Sequence, residues 1–74
     1  MKIEVELFGQ LLPSAERRQI LTLERLMTVQ EVAVLLGVDP EEVGLISING
    51  VQSEMDNTVP PDCRLCFFPP LSGG

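Results

Sequence analysis

Residues 64–74 read Arg64-Leu65-Cys66-Phe67-Phe68-Pro69-Pro70-Leu71-Ser72-Gly73-Gly74. This stretch joins an apolar, strand-like run to a stiff spacer and a pair of glycines. By alternation, Leu65 and Phe67 take one face of the strand, and Cys66 and Phe68 the other. Each proline fixes its own φ and restricts the residue before it, so the spacer is expected to be extended. Glycine leaves no side chain beside the terminal carboxylate and adapts to almost any path through a narrow channel. An extended Pro69–Gly74 segment reaches roughly 20 Å, at about 3 Å per residue. The expected organisation is a folded domain over residues 1–68 and a tail over 69–74 built to deliver its end group.

Working outward, the opening strand Lys2-Ile3-Glu4-Val5-Glu6-Leu7-Phe8 alternates. Ile3, Val5 and Leu7 face one side; Lys2, Glu4 and Glu6 face the other. Gly9 to Arg18 reads as a turn or loop, and Gln19–Leu23 as a second strand forming an antiparallel hairpin with the first. Thr28 opens a helix, with Glu31 three residues on to complete a capping box. Val29, Val32, Ala33 and Leu36 form its core-facing stripe, and Gly37 is its stop. Asp39-Pro40-Glu41-Glu42 has the pattern of a short extra helical turn, with Asp39 as cap and Pro40 first. Leu45–Ile48 is a third strand with Ile46 and Ile48 inward, and Asn49-Gly50 is a tight-turn signal into a short strand at Val51–Glu54. Arg64–Phe68 is the last. The first and last strands are the most apolar and are expected to pair in parallel at the centre. The class is α+β: a mixed four- or five-stranded sheet packed on one main helix.

Composition narrows the chemistry. The chain has 74 residues, a net charge of −6 and no histidine. It is one domain with one small core. The five basic residues, Lys2, Arg17, Arg18, Arg25 and Arg64, form no sequence cluster suited to a phosphate backbone, so no nucleic-acid partner is expected. No stretch is apolar enough to span a membrane, and the Met1-Lys2-Ile3-Glu4 start lacks the apolar core of a signal peptide; a cytoplasmic location is the expectation. Cys63 and Cys66 form a C-x-x-C pair, but zinc needs two more ligands and the chain supplies neither histidine nor another cysteine, and a redox pair usually opens a helix. They read as ordinary turn and strand cysteines, and no metal site is expected. Glu4, Glu6, Glu41 and Glu42 read as solvated charge, and Arg64 with Asp62 as a surface pair of little weight. Phe67 is a core residue; Phe68 and Phe8 are candidates for an exposed apolar patch that docks partners.

A ββαββ chain of this length ending in Gly-Gly resembles the ubiquitin-like β-grasp fold. Within that fold, the Phe-Phe-Pro-Pro-x-x-Gly-Gly ending looks like the MoaD family, the small sulfur-carrier subunit of molybdopterin synthase, in the MoaD/ThiS superfamily. Ile48-Asn49-Gly50 and an opening strand running to Phe8 support the likeness. The thiamine-pathway carrier ThiS shares Gly-Gly but usually lacks Pro-Pro. This chain departs from the family pattern in two places. Pro61-Asp62 stands where a Gly-Asp pair usually leads into the last strand, and Gly9–Arg18 lacks the usual small-residue-rich loop.

The resemblance implies a carrier. An E1-like adenylating enzyme of the MoeB type would activate the Gly74 carboxylate with ATP, and a sulfur donor would convert the acyl-adenylate to a thiocarboxylate. The tail (Pro69, Pro70, Leu71, Ser72, Gly73) would then enter a large MoaE-type subunit and give up the sulfur to the molybdopterin precursor, with no cofactor bound to the chain itself. The residues agree with this scheme: a C-terminal carboxylate, with a pKa of about 3.5, is an unreactive anion at neutral pH. The chain has no phosphate loop or histidine with which to activate it, so it is not expected to turn over alone. The alternatives are a carrier for thiazole, tRNA or cysteine synthesis, a ubiquitin-like modifier, and a binding module with an inert tail. Lys2 and the N-terminus are the only acceptors for a chain built on itself, which disfavours polymeric conjugates.

Overall fold

The computed structural model describes residues 1–11 and 16–71. Five strands and one α-helix occur in the order β1 (Lys2–Leu7), β2 (Arg18–Thr22), α1 (Val29–Leu36), β3 (Leu45–Ile48), β4 (Val51–Ser53) and β5 (Arg64–Phe68). A 3-10 turn, Pro40–Glu42, lies between α1 and β3. The sheet order is β2-β1-β5-β3-β4. β1 pairs antiparallel with β2 and parallel with β5, and β3 pairs antiparallel with β5 and β4. This is the mixed five-stranded, one-helix architecture of the ubiquitin-like β-grasp. The expected central pairing of the first and last strands is present, with Val5 opposite Leu65 and Leu7 opposite Phe67.

Local chemistry sets the helix ends. Thr28 Oγ1 accepts the Glu31 N–H at 3.2 Å while Glu31 Oε1 accepts the Thr28 N–H at 2.9 Å, so two free donors are satisfied reciprocally. Gly37 closes the helix with φ 85°, in the left-handed region that strains any residue carrying a side chain. Asp39 Oδ1 accepts the Glu41 N–H at 3.0 Å and starts the 3-10 turn. Asn49 and Gly50 both have positive φ, 52° and 83°, as a two-residue hairpin turn requires. At the altered approach to β5, Asp62 itself adopts φ 57° and donates its N–H to the Lys2 carbonyl at 2.8 Å. Aspartate is among the few residues that tolerate this conformation without glycine.

The core lies between the sheet and α1. Ile3, Val5, Leu65, Phe67, Val29 and Val32 are among its buried side chains. Alternation sends the other half of each strand to the face away from the helix. There Glu4 is exposed, as expected of solvated charge, and so are Glu41 and Glu42 elsewhere, but Glu6 is not. Glu6 is only 4% exposed, because three arginines and the neighbouring strand cover it. Arg64 bonds to Glu6, not to Asp62, so the expected Arg64–Asp62 pair is corrected as well.

Candidate functional site

β5 is the central strand, so its end emerges between two neighbours. The Phe8 N–H donates to the Phe67 carbonyl at 2.9 Å on the β1 side, and the Gly44 N–H donates to the Phe68 carbonyl at 2.8 Å on the β3 side. Pro69 and Pro70 follow with no N–H to offer either neighbour, and the ladder stops. Both prolines are exposed, and Leu71 is 98% exposed. Ser72, Gly73 and Gly74, the remaining tail residues singled out from sequence, lie outside the described residues.

Phe8 and Phe68 are brought together at the root of this tail. Their rings stack with centroids 4.5 Å apart and planes 11° apart. Both are half-buried, so the expected bare patch is instead a stacked platform with one covered side. The Arg17 guanidinium lies over the Phe8 ring, 4.8 Å from its centroid, in a cation–π arrangement. Leu45 pairs with Phe68 in the β3–β5 ladder and is 42% exposed, which extends the apolar surface across a third strand. Phe67, one residue away on the opposite face, is fully buried.

Beside the platform sits the Glu6 cluster. Arg64 hydrogen-bonds to Glu6 Oε1, Arg18 Nε lies 3.6 Å from Oε1, and Arg17 Nε lies 3.7 Å from Oε2. The Arg64 hydrogen bond is the main reason the Glu6 carboxyl titrates below its ordinary value; the Arg18 and Arg17 charges add to it, and burial opposes it. The arginine side chains stay 49–70% exposed while Glu6 is enclosed. Four of the five basic residues, Lys2, Arg17, Arg18 and Arg64, therefore lie on or beside this one face of an acidic protein, against Glu4 and Glu6. The surface at the tail root is aromatic, with Arg17 over Phe8 and with Glu42 lining a hollow beside Pro69 and Pro70.

Sequence reasoning missed Glu6, Arg17, Arg18 and Leu45 as parts of this surface. The available signal was register: Glu6 pairs with Arg18 on one side and Cys66 on the other. The cysteines themselves are free and buried. Burial raises the Cys63 thiol above its ordinary value, which holds it in the unreactive protonated form. Among the described residues no group of histidine, cysteine, aspartate or glutamate is arranged to hold a metal. No helix of the described residues is long and apolar enough to cross a membrane. What the described side chains offer is a stacked aromatic platform and an enclosed ion cluster at the base of the tail.

Comparison with known proteins gives four findings. The ThiS family model matches residues 5–74. The crystal structure of SAMP1 from Haloferax volcanii superposes with a TM-score of 0.72 at 24% identity, covering 100% of both chains. A chain of the protein–protein complex of subunits 1 and 2 of the molybdopterin-converting factor from Helicobacter pylori 26695 gives a TM-score of 0.61 at 20% identity, again over 100% of both chains. No curated protein matches the chain.

Proposed function

Since this chain belongs to the ThiS family of ubiquitin-fold sulfur carriers, we propose that it carries sulfur on Gly74 for the synthesis of molybdopterin. The carboxylate of Gly74 attacks the α-phosphorus of ATP in an E1-like enzyme and expels pyrophosphate. A donor of sulfide-level sulfur then attacks the acyl carbon and expels AMP, which leaves a thiocarboxylate. The charged tail enters a large subunit of the MoaE type, where the sulfur passes to the precursor. The chain's own residues supply docking and reach: the Phe8–Phe68 platform with Leu45 as an apolar anchor, the arginines around Glu6 for an acidic rim on the partner, and Pro69 and Pro70 as the spacer.

The observation that carries this reading is the Phe67-Phe68-Pro69-Pro70 sequence at the end of the central strand, with Leu71 free of the body. The similarity to the Helicobacter pylori complex supports the same pathway. The direct test is mass spectrometry of the protein isolated from its own cell. A carrier shows Gly74 with one oxygen replaced by sulfur, and the loaded protein mixed with the large subunit converts precursor to dithiolene product. A chain that is never thiocarboxylated and keeps full activity without Gly74 would falsify the reading.

A second reading is sulfur delivery to another acceptor, in thiazole, tRNA or cysteine synthesis. The ThiS family match favours it, because the same mount and tail serve any acceptor. Loaded protein that fails with the large subunit but supports one of those products decides for it. Isopeptide-linked remnants on other proteins decide instead for a modifier.

A further inference from the structure

Two glycines flank the emerging tail. Gly9 follows β1 and Gly44 precedes β3, so they stand on opposite sides of the end of β5. A Cβ on Gly44 would lie 2.6 Å from the Pro70 nitrogen and 2.9 Å from the Pro69 carbonyl oxygen, and it would also overlap Pro70 Cα. These are backbone atoms, which cannot swing aside as a side chain can. A Cβ on Gly9 would lie 2.6 Å from Pro69 Cγ, and Gly9 holds φ 66°, which disfavours any side chain. Gly37 and Gly50 differ from these two: a Cβ on either meets nothing within 4 Å. Gly44 also fastens the root through its N–H bond to the Phe68 carbonyl, at 2.8 Å.

We propose that Gly9 and Gly44 are the walls of a slot that sets the direction in which the tail leaves the sheet, and that both are positioning residues for the loading of Gly74. The second half of this rests on the carrier reading above. The physical basis is a chain of stiff links. The Phe68 carbonyl is fixed by the ladder, Pro69 and Pro70 have fixed φ, and the slot fits closely around the Pro69 ring and the Pro69–Pro70 backbone. A few residues of tail lie beyond, so a small rotation at the root becomes a large displacement of the end group. In a narrow active site, a misplacement of about 1 Å costs on the order of a hundredfold in rate.

The experiment compares wild type with Gly44→Ala, Gly37→Ala and a Pro69→Gly/Pro70→Gly double variant. Gly37→Ala strains the helix cap at a position where a Cβ meets no tail atom within 4 Å, and controls for lost stability. The first readout uses the free protein: 15N relaxation of the Leu71 amide. The second is ATP–pyrophosphate exchange with the E1-like adenylating enzyme of the same cell, resolved into KM and kcat for the carrier. The slot predicts an ordered Leu71 amide in wild type that loosens in Gly44→Ala and in the double variant but not in Gly37→Ala. It predicts a KM within about twofold of wild type and a kcat reduced about tenfold or more in the same two variants, with Gly37→Ala unchanged. If Gly44→Ala does not fold, the double variant carries the test, since it leaves both glycines in place. A wild-type Leu71 as mobile as in the double variant overturns the slot. Equal kcat in all folded variants overturns the positioning role. A wild type that is never adenylated, with the Leu71 differences intact, overturns the carrier reading and supports the slot.

Discussion

Glu6 and Arg64, 58 residues apart in the chain, form a hydrogen-bonded ion pair on the helix-free face of the sheet, with the carboxylate enclosed and the guanidinium half-exposed. The pair straddles the β1–β5 ladder, where Glu6 lies opposite Cys66 and Glu4 opposite Arg64. It joins the first and last strands through side chains as the ladder joins them through backbone. Arg17, held by the same carboxylate, is the residue that covers Phe8. The β1–β5 pairing and the Phe8–Phe68 platform thus share one buried charge.

That arrangement makes stability depend on acid. Glu6 has its folded pKa below the ordinary 4.5, so the unfolded chain binds more protons in this range. Its contribution is complete above about pH 5.5 and is lost as pH falls through 4.5 toward the lowered folded value. Glu6→Gln is expected to be less stable at pH 7 and to have a shallower fall of Tm between pH 6 and pH 3, read by circular dichroism. Some dependence will persist, because Glu31 is also lowered, first by the Thr28 N–H and then by Arg25. Equal pH slopes in variant and wild type would refute the role of Glu6.

Neighbouring phenylalanines should separate fold from docking. Phe67 is fully buried against the helix side, and Phe67→Ala is expected to cost about 3–5 kcal/mol. Phe68 stacks on Phe8 and is half-buried, so Phe68→Ala should cost clearly less stability while weakening binding to the large subunit or the activating enzyme. Urea denaturation and calorimetric titration read the two effects. Equal losses of stability would contradict the face assignment.

Removing the helix cap tests the local chemistry alone. Thr28→Ala deletes the acceptor for the Glu31 N–H and is expected to destabilise the domain by about 1 kcal/mol. Because Thr28 is remote from the tail root, binding through the Phe8–Phe68 face should be unchanged once temperature keeps the variant folded. Denaturant midpoints together with partner affinity check both halves.

Thiol chemistry offers a further check. Cys63 and Cys66 are buried, and Cys63 is held protonated by its surroundings. Ellman's reagent should modify native protein slowly, at a rate that follows unfolding, and both thiols should react rapidly in guanidinium chloride. Fast labelling of the native chain would show that this end of β5 opens readily.

Much of the fold was legible because the signals are local. Ile3, Val5 and Leu7 alternate with charged residues, Thr28 and Glu31 stand three apart, and Asn49-Gly50 occupies a tight turn. Each pattern reports a backbone geometry that its own few residues enforce. The strand limits shifted by a residue at β1, β2 and β4, where pairing rather than composition decides the end. The pairing of Phe8 with Phe68 at one surface was also within reach, since both fall at the tail end of parallel central strands.

By itself, then, the chain's order of residues determined the α+β class, the helix and its caps, the alternation of faces, and the glycine-ended tail after a proline spacer. Tertiary structure alone decided which carboxylate is buried and what lies against each glycine. Glu4 and Glu6 are indistinguishable by alternation. They differ only because Arg17, Arg18 and Arg64 converge on Glu6 from β5 and from the start of β2. Gly9 and Gly44 look like ordinary loop glycines in sequence. Their reason lies in Pro69 and Pro70 passing beside them, at separations in the chain that no local pattern records.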